Sequence, residues 1–298
     1  MTITPGLLHT YTATGNREDI SDIIDMISST QTPLYSTSEK KKAKATLHQW
    51  QYDDLRSALT AGNLEGEDVS FTTGVQPTMA SNNTQIFRRE FAVTKTQEAV
   101  LKAGTKSEYK RKMANAIKEL KRDVESTMWA GSAGVVTGSS AAARQAKNVM
   151  AFVTQTAGYT AGISVAKLNA GLQQVFDAGA DPDKLYCASG VKGLISTLSI
   201  TNLARNVEAV GHKVINRTDV FDSDFGLVSI IPDRFMTAGQ ALGGQFDLIR
   251  VANLRAPFVD HLPDLGGGPR GFTEAELSWE VGHPNGFSKW TGITSASS

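Results

Sequence analysis

The sequence has few of the residues from which reactive or cross-linked sites are built. Its one cysteine, Cys187, excludes an internal disulfide framework and any multi-cysteine metal site. The five histidines are scattered, none is paired with another at a spacing of three or four residues, and no carboxylate completes a ligand set. We therefore expect no metal and no cofactor, with Cys187 as a buried structural thiol.

Long hydrophobic runs and an excess of one charge are also missing. No run approaches the roughly 18 apolar residues that a membrane span needs, and the N-terminus lacks the basic-then-apolar order of a secretory signal. Lys and Arg (30) balance Asp and Glu (30), so net charge indicates neither nucleic acid nor a membrane as a partner. These absences predict a soluble protein that is made in a cytosol.

Catalytic motifs are missing as well. The glycine-rich stretches GSAGVVTG and GGGPRG lack the Gly-Lys-Ser/Thr ending of a phosphate loop, and there is no G-x-S-x-G elbow. No nucleophile, base and orienting group come together by type and spacing. The sequence therefore predicts a protein that is not an enzyme, and a hydrolase with its site in residues 160–255 is the alternative from another class.

The N-terminal third predicts extended structure rather than a domain. Residues 16–27 have the helical spacing of a short amphipathic helix, and the first 45 residues read as an arm. Residues 46–55 and 84–94 alternate as strands do, and nearly thirty residues rich in Gly, Ser, Thr and Asn separate them. We predict a long two-stranded ribbon with a mobile tip. Its predicted aromatic residues are Trp50, Tyr52, Phe87 and Phe91.

The clearest single element is a helix over residues 105–129, with Ser107 as its N-cap. Apolar side chains recur on it at three- and four-residue steps. This predicted core face consists of Tyr109, Met113, Ile117, Leu120, Val124 and Met128. A mixed α+β domain follows over residues 160–255. Near the C-terminus, Asn285-Gly286 separates two alternating stretches and predicts a hairpin.

This order of elements resembles the tailed-phage major capsid proteins with the Hong Kong 97 fold. The stretch EDISDIIDMISSTQTPLYSTSEKKKAKATLHQWQYDDL is similar to the arm of major head proteins in podophages and their relatives, and the resemblance covers nearly the whole chain. It implies an α+β fold with an N-terminal arm (1–45), an extended β-hairpin loop (46–95), a peripheral domain with the spine helix (96–159), an axial domain (160–255) and return strands of the peripheral domain (256–298).

The resemblance also implies a function and partners. The chain would assemble with copies of itself into hexamers and pentamers that form an icosahedral or prolate head around double-stranded DNA. Other expected partners are a portal protein at one vertex and cement proteins. Because the chain starts directly at the arm with Met1, a scaffold is expected to be a separate protein, and a scaffolding segment that has already been removed is the alternative. Assembly would take place in the host cytoplasm, and the mature location would be the virion. A nanocompartment shell of the same fold remains an alternative, whereas the long helix argues against a tail-tube subunit.

Three groups of side chains are candidates for contacts. The aromatic residues of the ribbon pack either on the subunit's own spine helix or on another subunit. The acidic tip residues Glu65, Glu67 and Asp68 meet Lys40 to Lys42 or the spine helix of a neighbour, unless they are only solvated. Both groups are assigned to inter-subunit contacts of the extended loop.

The third group lies on the spine helix and is basic. Clustered Lys and Arg suit contacts with DNA phosphates, but the acidic residues interleaved with them favour a solvated helix face. The candidate DNA-facing residues are Lys110, Arg111, Lys118 and Lys121.

Residues 56–94 contain no lysine, although some members of the capsid family crosslink covalently through a lysine in this loop. We therefore expect assembled particles to dissociate fully when boiled in SDS. A gel should show a band at 31.9 kDa. If only species far above that mass were present, the particles would be covalently linked and the prediction would be wrong.

Overall fold

Short helices and strands come first, then one long helix, then a mixed region that ends in long strands. The computed structural model describes residues 31–69, 71, 74–101, 104–159, 162–203, 219–264 and 266–294. The helices are α1 (Pro33–Thr37), α2 (Lys95–Ala99), α3 (Glu108–Ala130), α4 (Val149–Phe152), α5 (Val165–Asp177) and α6 (Ser189–Leu203). The strands are β1 (Glu39–Lys42), β2 (Leu47–Tyr52), β3 (Thr78–Asn83), β4 (Gln85–Ala92), β5 (Gln155–Gly158), β6 (Lys184–Ala188), β7 (Val220–Ser223), β8 (Gly226–Asp233), β9 (Ala241–Gly244), β10 (Ile249–Leu262), β11 (Arg270–Val281) and β12 (Phe287–Thr291).

Two parts of the sequence-based description lie outside the described residues. They are the amphipathic helix predicted over residues 16–27 and residues 204–218 of the predicted α+β domain. Among the residues that are described, no helix is both long and apolar enough to cross a lipid bilayer.

The described strands form three sheets. A four-stranded sheet has the order β1-β10-β11-β4, in which β1 and β10 are parallel and the other neighbours are antiparallel. A six-stranded sheet has the order β5-β12-β9-β6-β8-β7, and β2 pairs with β3 alone. One hydrophobic cluster joins the two larger sheets through α3, α4 and α5. The ribbon β2-β3 is therefore an appendage of this common core.

The long helix α3 begins and ends close to its predicted bounds. Ser107 caps it, because its side chain accepts a hydrogen bond from the Lys110 backbone N–H at 3.3 Å. Leu120, Val124 and Met128 are buried, whereas the predicted core positions nearer the N-terminus are half-buried. These half-buried positions are Tyr109, Met113 and Ile117. The C-terminal half of the helix is thus the part that enters the core.

The predicted pairing of the ribbon is wrong in one strand. The return strand is β3, whose residues pair with β2 from Leu47↔Asn83 to Tyr52↔Thr78. Residues 85–92, which the sequence assigned to the ribbon, pair with β11 in the four-stranded sheet instead. The physical reason is the burial of apolar side chains. In the four-stranded sheet, β4 places Phe87 and Phe91 in the core, whereas a ribbon in solvent would leave both rings in contact with water.

The predicted C-terminal hairpin is also wrong. β11 and β12 lie in different sheets, and a 3-10 turn at Pro284–Gly286 joins them. β12 pairs with β5 and β9, which buries Phe287 and Trp290 completely. The division implied by the resemblance grouped this strand with the return strands, whereas its hydrogen bonds place it in the six-stranded sheet.

Helix α5 lies against the six-stranded sheet at a position that only glycine fits. A Cβ atom at Gly171 would lie 2.6 Å from Cζ2 of Trp290. The indole is fully buried and also donates a hydrogen bond from Nε1 to Ser288 Oγ at 3.1 Å. It has no free space into which to move, so the helix approaches the sheet only because residue 171 has no side chain.

We expect Gly171→Ala to destabilise the fold by about 1–3 kcal/mol, because the added methyl overpacks the Trp290 contact. Gly193→Ala in α6 is the matched control, since nothing lies within 4 Å of a Cβ there. Replacing an exposed helical glycine should stabilise the protein by roughly 0.5–1 kcal/mol. Thermal unfolding of both variants gives the measurement, and equal melting temperatures would contradict the packing argument.

Candidate assembly surface

The root of the ribbon is attached to the subunit's own core through its aromatic side chains. Trp50 Nε1 donates to the Val281 carbonyl oxygen at 2.8 Å, and its ring lies 5.6 Å from that of Phe152. The ring of Tyr52 lies 4.9 Å from that of His283. Trp50 and Tyr52 therefore pack within the subunit, on α4, on β11 and on the residues after β11.

Phe87 and Phe91 also belong to the subunit's own core. Each is 5% exposed, and the Phe91 ring lies 5.3 Å from that of Tyr109 on the spine helix. Side chains that are buried in this way offer almost no surface to a neighbour. The assignment of Phe87 and Phe91 to inter-subunit contacts is therefore corrected. In the structure they pack on the spine helix of their own subunit, which was the alternative.

Two asparagines at the end of β3 hold the ribbon root to the rest of the subunit. The Asn82 side-chain amide donates to the Trp279 carbonyl oxygen at 3.1 Å, and Asn82 Oδ1 accepts from the Lys147 backbone N–H at 2.8 Å. Asn83 Nδ2 donates to the Val136 carbonyl oxygen at 2.8 Å. Nothing in the sequence marks these two residues as anchors, because Asn-rich segments are also typical of turns.

Beyond this root the loop is exposed and carries many apolar side chains. Leu55 is 96% exposed and Phe71 is 94% exposed. The other strongly exposed apolar residues of the loop are Leu59, Leu64 and Val69. Single apolar residues on a surface are ordinary, but several on one extended segment indicate a site of interaction. The loop between β2 and β3 is therefore the main candidate for contact with another molecule.

The tip of the loop is a turn with acidic side chains. Gly66 adopts a φ of +83°, and the Glu67 backbone N–H donates to the Leu64 carbonyl oxygen at 3.2 Å. Glu65, Glu67 and Asp68 are all exposed. The described structure thus places the three predicted acidic residues together at the outer part of the loop, next to its apolar residues.

The solvent face of the spine helix is more basic than the sequence indicates. Three of its four interleaved acidic residues have partners within the subunit: Glu108 binds Arg111 at 2.7 Å, Asp123 binds Arg89, and Glu125 is buried. The exposed lysines are Lys110, Lys112, Lys118 and Lys121, with Glu119 exposed among them. Arg111 is half-buried in its ion pair, so the exposed basic residues of this helix are lysines. At 3.6 residues per turn, Lys110, Lys118 and Lys121 share one side of the helix and form its lysine face, whereas Lys112 lies on another side.

Three buried carboxylates on β11 were not identified from the sequence. Glu274, Glu276 and Glu280 lie on one face of the strand and are 2%, 5% and 4% exposed. Arg255 binds both Glu274 (2.7 Å) and Glu276 (3.0 Å). The further partners are Arg88 for Glu274, Arg144 and Thr84 for Glu276, and Lys41, His48 and Arg250 for Glu280. We call this set the carboxylate ladder.

Glu280 is the point at which three parts of the subunit meet. It binds Lys41 of β1 at 2.8 Å, His48 of β2 at 3.1 Å and Arg250 of β10 at 3.2 Å. Burial by itself would raise the pKa of Glu280, but the hydrogen bonds from His48, Lys41 and Arg250 together lower it to about 2. The carboxylate is therefore ionised at neutral pH and holds the arm, the ribbon and β10 together.

Catalytic chemistry has little support in the described residues. No group of three or more His, Cys, Asp or Glu side chains there is arranged to hold a metal ion. Cys187 is fully buried, and burial raises the pKa of its thiol to about 12, which suppresses the nucleophilic thiolate. Of the histidines, His48 and His283 bind carboxylates and His261 bonds to Tyr109, while His9 and His212 lie outside the described residues.

Solved structures with the same architecture are capsid and shell proteins. The capsid chain of cyanophage A-1(L) has a TM-score of 0.70 at 13% identity, covering 96% of this chain and 100% of that one. A chain of Gordonia phage Cozz has a TM-score of 0.61 at 16% identity, with coverages of 96% and 98%. The SrpI encapsulin of Synechococcus elongatus PCC 7942 has a TM-score of 0.60 at 10% identity, with coverages of 92% and 94%. The predicted α+β Hong Kong 97-like fold is confirmed.

Within this class of fold, residues 8–294 match the SU10 major capsid protein family, and the chain belongs to that family. The major capsid protein of Escherichia phage Phieco32 is 29% identical over 131 residues, which are 43% of this chain. The match spans only 37% of that relative's length. Because the family consists of structural capsid proteins, the predicted structural and non-enzymatic role is confirmed, and the hydrolase alternative is set aside.

We expect Glu280→Gln to lower the stability at pH 7 by roughly 2 kcal/mol, because a buried ion-pair partner is lost. Since the pKa of Glu280 is lowered from 4.5 to about 2, its contribution is present above pH 4.5 and is lost as the pH falls towards 2. The difference between wild type and variant should therefore shrink over that range in denaturant unfolding.

Glu39→Gln is the matched control for this measurement. Glu39 binds the same Arg250 at 3.0 Å, but its side chain is 61% exposed. An exposed ion pair contributes about 0–1 kcal/mol, so this variant should stay close to wild type at every pH. Equal losses of unfolding free energy in the two variants would show that burial does not strengthen the ion pairs of Glu280.

Proposed function

We propose that this chain is the main subunit of a phage head and that its extended loop joins each subunit to a neighbour. Membership of the SU10 major capsid protein family supports the first part. The observation that carries the second part is the loop itself, whose root is packed into the core while Leu55 and Phe71 stay in solvent. Contact with another copy would remove this apolar surface from water.

The proposed assembly consists of hexamers and pentamers that close an icosahedral or prolate shell around double-stranded DNA. Residues 1–45 act as the arm, residues 160–255 meet their symmetry mates at capsomer centres, and the remainder forms the peripheral part. The ribbon and its tip account for residues 47–83 of the proposed extended loop, because β4 belongs to the four-stranded sheet.

Charge complementarity indicates where the loop tip docks. The tip places Glu65, Glu67 and Asp68 in solvent, and the spine helix exposes a face of lysines. Opposite charges on two surfaces of one chain suit contact between copies, since they favour the correct register and disfavour others. We infer that the tip of one subunit lies near the spine helix of the next. Of the lysines on this face, Lys110, Lys118 and Lys121 are also the proposed contacts with packaged DNA, and Arg111 is less suited to DNA because Glu108 binds it.

Further partners follow from the same proposal. They are a portal protein at one vertex, separate scaffold and cement proteins, and packaged DNA that is bound without sequence preference. Synthesis and assembly take place in the host cytoplasm, and the mature protein resides in the virion. A nanocompartment shell is the second candidate, favoured by the likeness to the SrpI encapsulin. Imaging by negative stain distinguishes DNA-filled heads from small closed shells.

We expect Leu55→Asp combined with Phe71→Asp to abolish particle formation while the subunit stays folded, because the loop would lose its apolar contact. Ser57→Asp is the matched control, since Ser57 is exposed in the same loop and its replacement adds charge without removing apolar surface. Electron microscopy counts particles, and circular dichroism together with thermal unfolding reports on the subunit.

Charge reversal at Glu65, Glu67 and Asp68 separates the electrostatic part of the contact. If the tip docks on lysines, the reversed loop should assemble poorly at low salt and recover partly at high salt, where repulsion is screened. Normal particles from the double aspartate variant would exclude the loop from assembly. Normal particles from the charge-reversed variant alone would exclude only the docking site on the lysine face.

A further inference from the structure

A pair of buried carboxylates lies where the arm meets the spine helix. Glu125 of α3 is fully buried, and its two oxygens accept hydrogen bonds from the backbone N–H groups of Leu34 (2.8 Å) and Tyr35 (2.7 Å). Its side chain is also hydrogen-bonded to that of Asp233, which is 1% exposed. The attachment of the arm thus depends on an acidic pair with almost no access to water.

Asp233 is itself held in place by donors from two directions. Its Oδ2 accepts from Trp129 Nε1 at 2.7 Å, and its Oδ1 accepts from the Phe235 backbone N–H at 2.8 Å. These bonds fix the aspartate beside Glu125. Two carboxylates in contact at a buried site do not both ionise readily, because each charge raises the cost of the other. A shared proton resolves this conflict and completes the hydrogen bond between them.

We propose that Glu125 and Asp233 form a proton-sharing latch, which holds the root of the arm on the spine helix when protonated and loosens when the proton is lost. The latch is a property of the single subunit and does not rest on the proposed assembly. Its moving part is the segment Pro33–Thr37, whose backbone N–H groups bind Glu125 directly.

The pH range of the latch follows from its surroundings. Burial, with the hydrogen bond and the charge of Asp233, raises the pKa of Glu125 from 4.5 to about 8, and these effects outweigh the hydrogen bonds from the Tyr35 and Leu34 backbone amides, which lower the pKa. When the latch opens, Glu125 meets water and returns to its ordinary range. Between pH 4.5 and 8 the closed state therefore holds one proton more than the open state, so rising pH favours opening. One proton corresponds to about a tenfold change in the equilibrium for each pH unit.

Other titratable groups near the pair leave the sign of this pH dependence unchanged below pH 8. Those near the pair are Tyr35, Lys40, Tyr186, Asp183, Cys187 and Lys192. Burial lowers the pKa of Lys40 to about 8, so this lysine stays charged below that pH. Above pH 8 the closed state has a neutral Lys40 that opening would protonate, and the pH dependence then changes sign. Burial raises the pKa of both tyrosines and of the thiol, so none of these three ionises between pH 5 and 8.

Hydrogen–deuterium exchange of the full-length protein tests the latch at the amides that it binds. Exchange of Leu34 and Tyr35 is measured from pH 5 to 7.5 and corrected for the intrinsic pH dependence of amide exchange. In wild type we expect the corrected opening equilibrium to rise about tenfold per pH unit. Glu125→Gln removes the titrating group, so it should flatten this dependence. Asp233→Asn leaves Glu125 buried and removes only the neighbouring acid, so the dependence should level off at a lower pH than in wild type.

Glu119→Gln is the matched control, because Glu119 is an exposed carboxylate on the same helix. It should retain the wild-type slope. A flat profile in wild type would overturn the proposal, and so would a wild-type slope in Glu125→Gln or an unchanged pH profile in Asp233→Asn. If one variant fails to fold, the other decides, since either substitution removes one member of the pair. Emission of Trp129, whose indole binds Asp233, provides a second readout and should change with the same midpoint.

Discussion

Strand β11 is the element on which the described parts of the subunit depend, because both of its faces are buried and each face holds a different part of the molecule. On one face, Leu277 and Trp279 belong to the hydrophobic cluster that also contains Leu120 and Val124 of the spine helix. On the other face, the carboxylate ladder binds cations from β1, β4, β10 and the loop after α3, and His48 of β2. Buried ion pairs on this face thus add to the aromatic and amide contacts of the ribbon and to the apolar packing of the arm root, whereas the helix is attached by apolar packing.

These two kinds of attachment have different consequences. Apolar contacts are non-directional and tolerate small shifts, but a buried carboxylate is stable only while its donors stay in place. Glu276 and Glu280 each have several donors, and these come from segments far apart in the sequence, such as Lys41 and Arg250. A movement of the ribbon or the arm root would leave a buried charge without its partner. The ladder therefore fixes the direction in which the ribbon leaves the core.

Local patterns predicted many of the elements but few of their partners. Helical spacing located α3 and its Ser107 cap, because a helix is stabilised by residues close in sequence. Alternation located β2 and β4, but it contains no information about pairing, so β4 was assigned to the ribbon. The Asn285-Gly286 pair favoured a hairpin between β11 and β12. The free energy gained by burying Trp290 in the six-stranded sheet outweighs that local preference. Glu280 and Glu125 had no recognisable signal, since their significance comes from distant donors and from loss of water.

The loop between β2 and β3 has an ordered, buried root and an exposed apolar outer part. The subunit satisfies even buried charges at the root of the ribbon, yet it leaves Leu55 and Phe71 in water a few residues further on. Binding normally requires that flexible segments be ordered, which costs free energy. Because Trp50, Asn82 and Glu280 already order the root within the isolated subunit, much of that cost is met before any neighbour arrives. A larger share of the free energy gained by burying Leu55 and Phe71 against a neighbour then contributes to the affinity between two subunits.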